Sequence, residues 1–250
     1  VRTYAIECEQ ESTPVPLAVL TDLHACAYGE GQKNLLDAVA VQSPDLVLLC
    51  GDIVDDDPRM PEERALATVE ALAEVWPVYY VTGNHEFWTG RVEEVRELLR
   101  ARGAVVLEGE SAAVTAAGQT LRIGGIDDPN VGEDIWREQL EAVTAAQDGE
   151  TFSILLTHRP ERVEDYAGRG FDLVLAGHAH GGQWRLPGLI NGLIAPNQGL
   201  FPRYAGGRYA LDGDTTMIVS RGLARESTRI PRLFNRPELV VVDILPEGTA

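Results

Sequence analysis

The stretch FDLVLAGHAH, residues 171–180, places two histidines directly after an apolar run of strand length. The run does not alternate between polar and apolar residues, which is typical of a strand buried on both faces. The whole chain contains only five histidines. A chemical role for this pair predicts that other strands deliver similar residues to the same edge of a sheet.

Four further apolar runs of strand length follow the same pattern, at residues 16–21, 45–50, 77–82 and 152–157. Amphipathic, helix-like stretches lie among them, at residues 31–43, 60–75, 91–103 and 133–147. Residues 104–126 instead predict short strands joined by tight turns, with a hairpin tip at 116–120. The alternation of strand and helix patterns predicts an α/β protein with two central sheets and helices outside them.

The length and composition indicate one globular unit. The chain has 250 residues, of which 44% are hydrophobic and 24% charged, and these are ordinary values for a soluble globular protein. There is no repeat, low-complexity tract or linker, so we expect a single domain over residues 1–250.

The formal net charge of −18 argues against a nucleic-acid partner. A nucleic-acid groove needs clustered basic side chains, and the 21 Lys and Arg residues look scattered along the chain. A small phosphate ester remains compatible with this charge if a local cation overrides the overall field.

The compartment is left open by the sequence. No CxxC motif occurs, which excludes a cysteine zinc site or a thioredoxin-like site. No stretch approaches the roughly 18 apolar residues of a membrane span. Residue 1 is Val rather than Met, so the expectation is a cytoplasmic location, or a membrane-associated or extracytoplasmic one if an upstream anchor or signal was removed.

Each of the five apolar runs ends on residue types that bind metals. The candidate ligands are Asp22, His24, Asp52, Asn84, His158, His178 and His180. In open α/β sheets, ligands bind beyond the carboxyl ends of the strands. Asp22 and His24 are two residues apart, and such residues on a strand point to one side, so both are expected to reach one ion. His178 and His180 repeat this spacing.

The candidate ligands offer two carboxylates, one amide oxygen and four imidazoles, without a thiolate. This set suits Mn²⁺, Fe or Zn²⁺ and does not suit Cu(I) or an iron–sulfur cluster. Seven ligands are too many for one ion, but with one bridging carboxylate they divide between two ions about 3.5–4 Å apart. A lone histidine after a strand is usually a packing residue, but an ordered set of this kind favours a metal centre.

These motifs together make the sequence resemble the calcineurin-like metallophosphoesterase superfamily. The matching motifs, in family order, are Asp22-Leu23-His24, Gly51-Asp52, Gly83-Asn84-His85-Glu86, His158 and Gly177-His178-Ala179-His180. The segments 181–188, 203–209 and 221–239 are similar to a bacterial subgroup of phosphodiesterase-like enzymes, some of them membrane-associated, and to one type of UDP-diacylglucosamine pyrophosphatase. The resemblance implies a four-layer α/β/β/α sandwich of two mixed sheets flanked by helices.

The resemblance also implies a role for each motif residue. One metal would be held by Asp22, His24 and His180. The other would be held by Asn84, His158 and His178. Asp52 would bridge the two ions, and His85 would be a catalytic residue that neutralises phosphoryl charge or protonates the leaving oxygen. We expect two Mn²⁺ ions, with Fe or Zn²⁺ as alternatives.

The predicted reaction is hydrolysis of a phosphodiester or pyrophosphate bond by a hydroxide that bridges the two metals. The protein Ser/Thr phosphatases of the superfamily carry GDxVDRG, whereas this chain has GDIVDDDPRM at 51–60. Asp55 fits the acidic position and is a candidate to orient His85. Asp56 and Asp57 replace the Arg-Gly that helps to bind a phosphoprotein, which argues against protein phosphatase activity.

The substrate is expected to be a small phosphoester, with lipid-linked and nucleotide-containing compounds both open. Segment 181–213 is expected to shape the pocket, and membrane association through a segment absent from this chain is left open. Phe87 and Trp88 are expected to pack in the fold. Arg159, Arg185 and Arg203 are each open between phosphate binding and solvent exposure.

Two other classes of function remain as alternatives. The first is a non-catalytic metal-binding interaction module on the same fold, because a fold alone does not determine function. Such a module would be expected to lose ligands, and all seven are present. The second is a nuclease of the same superfamily, which the net charge opposes.

Overall fold

The structure is a computed structural model, and it describes residues 1–8, 13–186, 189–212, 214–225 and 230–248. Parts of the segments singled out in the sequence lie outside the described residues, namely 187–188, 213 and 226–229.

The strands in the described part of the chain are β1 (Arg2–Cys8), β2 (Val15–Leu20), β3 (Leu46–Cys50), β4 (Val78–Val81), β5 (Ala104–Val106), β6 (Ser111–Ala116), β7 (Gln119–Gly125), β8 (Phe152–Leu156), β9 (Leu173–Ala176), β10 (Ile194–Ala195), β11 (Gly199–Leu200), β12 (Gly207–Ala210), β13 (Thr216–Val219) and β14 (Val240–Pro246). The α-helices are α1 (Lys33–Ala40), α2 (Glu62–Ala73), α3 (Asn84–Trp88), α4 (Val92–Arg100), α5 (Glu133–Ala145) and α6 (Val163–Tyr166). Single 3-10 turns cover Glu30–Gln32, Pro129–Val131, Pro160–Arg162 and His180–Gly182.

The strands form two six-stranded mixed sheets and a small two-stranded one made of β10 and β11. The first large sheet has the order β1-β14-β2-β3-β4-β5, with β2 to β5 parallel and β14 antiparallel to β2. The second has the order β12-β13-β9-β8-β7-β6, with β7, β8, β9 and β13 parallel. The predicted hairpin at 116–120 is the turn between β6 and β7.

The two sheets pack face to face and helices cover their outer faces. Leu17 and Leu48 of the first sheet share one buried cluster with Ile154 and Leu175 of the second. On the outer face of the first sheet, the apolar sides of α1, α2 and α4 pack on β2, β3 and β4. On the outer face of the second sheet, α5 packs on β8 and β9 through Trp136 and neighbouring apolar side chains. This confirms the predicted α/β/β/α sandwich and explains why the central strands are apolar on both faces.

The layered fold brings the loops after β2, β3, β8 and β9 together. The backbone N–H of Asp22 donates to the carbonyl of Gly51, at 3.0 Å, and that of His24 donates to Asp52, at 2.9 Å. In the second sheet, the N–H of Gly177 donates to the carbonyl of His158, at 3.2 Å. The carboxyl ends of the central strands therefore meet at one edge of the molecule.

Candidate metal centre

Five of the predicted ligands lie beyond the strands in left-handed backbone, namely Asp22, His24, Asp52, His178 and His180. β2 ends at Leu20 and β9 at Ala176. The φ angles are 50° at Asp22 and at His24, 63° at His178 and 46° at His180. The expectation that alternation along a strand aligns each pair was therefore wrong. Left-handed residues that are not glycine are uncommon, and they cluster at sites where surrounding structure maintains them.

One cluster contains Asp22, His24 and His180. All three side chains are buried, and one potential ligand atom from each lies within 4.8 Å of the others. Oδ1 of Asp22 lies 3.8 Å from Nε2 of His180. The same Oδ1 accepts a hydrogen bond from the backbone N–H of His178, at 3.0 Å, which ties the two loops together.

A second cluster contains Asp52, His158 and His178. Nε2 of His158 lies 3.0 Å from Oδ2 of Asp52. The Nδ1–H of His158 donates to the carbonyl of Cys50, at 2.8 Å, so its Nε2 lone pair is directed into the cluster. His178 and His180 thus face different clusters, contrary to the expectation that residues two apart would reach the same ion.

The carboxylate of Asp52 lies between the two clusters. Its Oδ2 is 3.0 Å from Nε2 of His158 in one cluster and 3.7 Å from Nε2 of His24 in the other. Its Oδ1 accepts from the backbone N–H of His85, at 2.9 Å. One oxygen is therefore held by the backbone, and the other is available to both clusters.

Several buried polar atoms at this edge have no hydrogen-bond partner among the described residues. These atoms are Nε2 of His24, Oδ2 of Asp52, Oδ1 of Asn84, Nε2 of His158 and Nδ1 of His178. A buried polar atom without a partner is costly and calls for an explanation. Imidazole nitrogens together with carboxylate and amide oxygens are the donor set of a Mn²⁺, Fe or Zn²⁺ site, so the residues present fit divalent cations.

The buried charges of the two clusters act on one another. Burial opposes a charge on His158, but the carboxylates of Asp52 and Asp22 raise its pKa to about 10. Burial would raise the pKa of Asp52, but the surrounding imidazoles hold it well below its usual range. Burial lowers the pKa of His178 and of His180, which leaves both imidazoles neutral, the form that binds metals.

His85 lies at the solvent edge of the site and contacts an acidic loop. Its Nδ1 is 2.6 Å from Oδ1 of Asp56 and 3.7 Å from Oδ1 of Asp55. Burial opposes a charge on His85, but Asp52 and this loop raise its pKa to about 9. Asp55 also accepts from Nδ1 of His24, at 2.9 Å, so it lies between the two imidazoles, and its role in orienting His85 stays a prediction.

The two aromatic residues after the GNHE motif have different surroundings. The Phe87 ring lies 5.7 Å from the guanidinium of Arg96, as a packing role predicts. The Trp88 side chain is 55% exposed, and its ring centroid lies 4.8 Å from that of His85. Trp88 thus forms an exposed wall beside His85 rather than part of the core.

The profile of the calcineurin-like phosphoesterase family matches residues 15–182, which hold both clusters. The chain belongs to this family. It is a metal-dependent phosphoric ester hydrolase.

Related proteins span most of this phosphoesterase. An uncharacterized metallophosphoesterase of Campylobacter jejuni is 28% identical over 255 residues, which cover 98% of this chain and 63% of the relative. The phosphodiesterase YaeI of Escherichia coli is 28% identical over 242 residues, covering 95% of this chain and 84% of the relative. The solved structure of phosphopantetheinyl hydrolase (PptH) from Mycobacterium tuberculosis has a TM-score of 0.57 at 14% identity, covering 95% of this chain and 98% of that one. At that identity the likeness shows the fold alone.

A buried network behind the clusters orients the phosphoesterase imidazoles. Oδ1 of Asn197 accepts from Nε2 of His178, at 2.9 Å, and from Nη1 of Arg159, at 2.7 Å. Arg159 also forms a buried ion pair with Asp128. Arg159 is therefore neither solvent-exposed nor free to bind phosphate, which resolves one of the choices that the sequence left open. Neither Asp128 nor Asn197 belongs to a motif, so the sequence carried no signal for this network.

Glu86 of the phosphoesterase ties two ligand-bearing loops together from inside the fold. Its buried carboxylate accepts from the backbone N–H groups of Gly83, at 2.7 Å, Asp52, at 3.0 Å, and Ile53, at 2.8 Å. At Gly51, where φ is +82°, an added Cβ would lie 2.5 Å from Nδ1 of His158. Glycine at this position therefore permits the close approach of the loop after β3 to His158.

No helix among the described residues combines the length and the apolar character that a membrane span requires.

Proposed function

We propose that this phosphoesterase hydrolyses a phosphodiester or pyrophosphate bond in a small substrate at a centre of two divalent cations. The observation that carries the proposal is the position of Asp52, whose Oδ2 faces His158 at 3.0 Å and His24 at 3.7 Å. A carboxylate oxygen within reach of two ligand clusters is the arrangement that a shared, bridging ligand requires.

The proposed ligands are assigned from these contacts together with the family motifs. One cation is held by Asp22, His24 and His180. The other is held by Asn84, His158 and His178. Asp52 is shared between them. Bound divalent cations would lower the pKa of water and polarise phosphoryl oxygens, and we expect Mn²⁺, with Fe or Zn²⁺ as alternatives.

The protein contributes orientation and a proton. Asp55, Asn197 and the carbonyl of Cys50 accept from the outer nitrogens of three imidazoles, which directs the inner nitrogens into the site. His85, whose pKa is raised, can carry a positive charge beside the clusters. In this position it neutralises charge on phosphoryl oxygens or donates a proton to the leaving oxygen.

The choice of a small diester or pyrophosphate rests on two observations. Asp56 contacts His85, and Asp56 and Asp57 stand where phosphoprotein phosphatases of the superfamily carry Arg-Gly. Among the relatives, the one from E. coli is named a phosphodiesterase. Because both large sheets share one core, we further propose that residues 1–250 form one domain.

The proposal is tested with a substrate panel on protein that has been stripped and reloaded with Mn²⁺. The panel contains bis-p-nitrophenyl phosphate, p-nitrophenyl phosphate, a nucleotide-sugar pyrophosphate, and single-stranded DNA and RNA. We expect metal-dependent turnover that is faster on a diester or pyrophosphate than on the monoester, and no degradation of nucleic acid. Full activity in the stripped protein would contradict the proposal, and an absence of turnover with every metal would favour the interaction module.

A further inference from the structure

The part of the chain that follows the last metal-binding motif differs sharply in charge from the rest. Residues 181–237, here called the C-terminal lobe, contain eight arginines and three carboxylates. The rest of the chain contains 13 basic and 36 acidic side chains. A strongly acidic protein therefore carries one basic segment, directly after His180, and the expectation that its basic residues are scattered along the chain does not hold for this segment.

The same lobe is also rich in exposed apolar side chains. Among the described residues of the lobe, eight large apolar side chains are exposed: Trp184, Leu186, Leu189, Leu200, Phe201, Ile230, Leu233 and Phe234. Exposed large apolar side chains elsewhere in the described chain number six and are spread over residues 1–135. Isolated exposed apolar residues are ordinary, but a concentration of them rimmed by polar groups marks an interaction surface.

Hydrogen bonds attach these exposed segments to the metal-binding turn. The backbone N–H of Leu193 donates to the carbonyl of Gly182, at 2.9 Å, and that of Phe201 donates to Leu193, at 2.8 Å. On the other segment, Nδ2 of Asn235 donates to the carbonyl of His180, at 2.7 Å. The segments that carry the exposed apolar residues are therefore attached directly to the metal-binding turn.

Two exposed phenylalanines of the lobe adopt strained backbone. Phe201 has a φ of 55° and Phe234 a φ of 52°, in the left-handed region that bulky residues rarely occupy. Both side chains are about two-thirds exposed, at 64% and 66%. Burial of the ring thus does not compensate for the strain, which points to a function for the exposed rings.

We propose that the C-terminal lobe docks on an anionic lipid bilayer, with its apolar side chains in the headgroup region and its exposed arginines on lipid phosphates. Aromatic and aliphatic side chains beside arginine are the composition of surfaces that lie in a membrane interface. The exposed arginines include Arg203, Arg225 and Arg236.

Charge favours an anionic membrane over a neutral partner. Because salt screens charges beyond about 8 Å, only the face nearest the bilayer is attracted, and the acidic remainder stays in solution. The inference does not depend on the proposed reaction, because vesicle binding requires no turnover.

The test is co-sedimentation of the whole chain with vesicles of phosphatidylcholine alone or with about 30 mol % phosphatidylglycerol. We expect at least about tenfold tighter binding to the anionic vesicles, and weaker binding as salt increases. Brominated lipids should quench the fluorescence of exposed tryptophan in the wild-type protein, and this readout requires no variant. Failure to bind anionic vesicles, or equal binding to both kinds, would overturn the proposal.

Paired variants locate the binding surface. Leu233→Ser with Phe234→Ser, and Arg225→Glu with Arg236→Glu, all at exposed positions outside segment 181–213, should each weaken vesicle binding about tenfold or more. The matched controls Val41→Ser with Ile135→Ser, and Lys33→Glu with Arg137→Glu, should bind as wild type does. Turnover of a soluble diester should be unchanged in all of them, which separates this inference from the proposed function.

Two outcomes would contradict docking of this surface on a membrane. Lobe variants that bind vesicles as tightly as the controls would overturn the proposal. Light scattering measures whether the wild-type protein is a dimer and the lobe variants are monomers. If so, and if the monomer does not bind vesicles, the surface is a contact between two copies of the chain.

Discussion

At the scale of single residues, the site depends on hydrogen-bond acceptors that contact the imidazole nitrogen facing away from the cluster and so orient the ring. His178 can offer Nδ1 to the site when its Nε2–H donates to Asn197, and Arg159 contacts both Asn197 and this Nε2. This arrangement selects the tautomer whose free lone pair points inward. The same logic applies to His24, whose Nδ1–H donates to Asp55.

Substitution Asn197→Ala should lower the affinity for Mn²⁺ about 10- to 100-fold, because His178 loses the acceptor that holds its tautomer. Asn197→Asp, which keeps an acceptor at this position, should recover much of that affinity. Calorimetric titration of stripped protein with Mn²⁺ measures both values, and the exposed Asn34→Ala serves as the control. Equal affinities for the alanine variants at 197 and 34 would show that Asn197 does not position His178.

The proposal makes Asp52 a metal ligand and His85 a proton donor, so substitutions of these two residues should have different effects. Asp52→Asn should lose metal and turnover together, because the shared carboxylate is weakened. His85→Ala should keep its metal content, while its turnover rate falls about 10²- to 10⁴-fold. Elemental analysis beside kinetics distinguishes these effects, and a His85→Ala protein without metal would show that His85 is itself a ligand.

At the scale of secondary-structure elements, α3 does more than carry Asn84 and His85. The carboxylate of Glu86 accepts from the N–H groups of Gly83, Asp52 and Ile53, so α3 and the loop after β3 share one buried acceptor. The short helix follows β4 directly and has few residues of its own with which to bury apolar surface. Its attachment therefore depends on this polar contact.

Glu86→Ala should destabilise the metal-free protein by about 2–4 kcal/mol, because it leaves several buried N–H groups without an acceptor. Denaturant unfolding of the stripped protein measures the change in the free energy of unfolding. The exposed Glu138→Ala on α5 is the control and should change that free energy by less than about 0.5 kcal/mol. A Glu86→Ala protein as stable as this control would mean that water satisfies the freed groups.

At the scale of the whole molecule, the site joins two sheets that pack face to face. The loop after β2 supplies Asp22 and His24, and the loop after β9 supplies His178 and His180. Ions held between these loops bind the folded chain and have no preformed site in the unfolded one. Metal binding should therefore be linked to global stability.

Removal of metal with a chelator should lower the melting temperature, and Mn²⁺ should restore it. At a free ion concentration of about 100 Kd, the expected stabilisation is about 2.7 kcal/mol. For a chain of this length, that stabilisation corresponds to a rise of roughly 5–10 °C. Differential scanning calorimetry measures the shift, with Mg²⁺ as a comparison ion. A melting temperature indifferent to both chelator and Mn²⁺ would contradict a metal centre built from these loops.

The outlines of the central strands and long helices followed from sequence because each lies in a distinctive environment. Strands buried on both faces are apolar throughout, and helices on an outer face show the helical period. The edge strands β1 and β12 were not predicted, since the first four residues of β1 and every residue of β12 are partly or fully exposed, so neither strand shows a continuous apolar run. The helices α3 and α6, at five and four residues, are too short to show a period.

The sequence by itself determined the layered α/β architecture, the family and the candidate ligands, because these depend on residue types in a fixed order along the chain. Only the tertiary structure decided which ligands share a cluster, since left-handed turns, and not strand alternation, aim Asp22, His24, His178 and His180. The roles of Asn197 and Arg159, and the joining of the exposed lobe to the metal-binding turn, were likewise decided by folding. Such contacts join residues distant along the chain, and no local pattern encodes them.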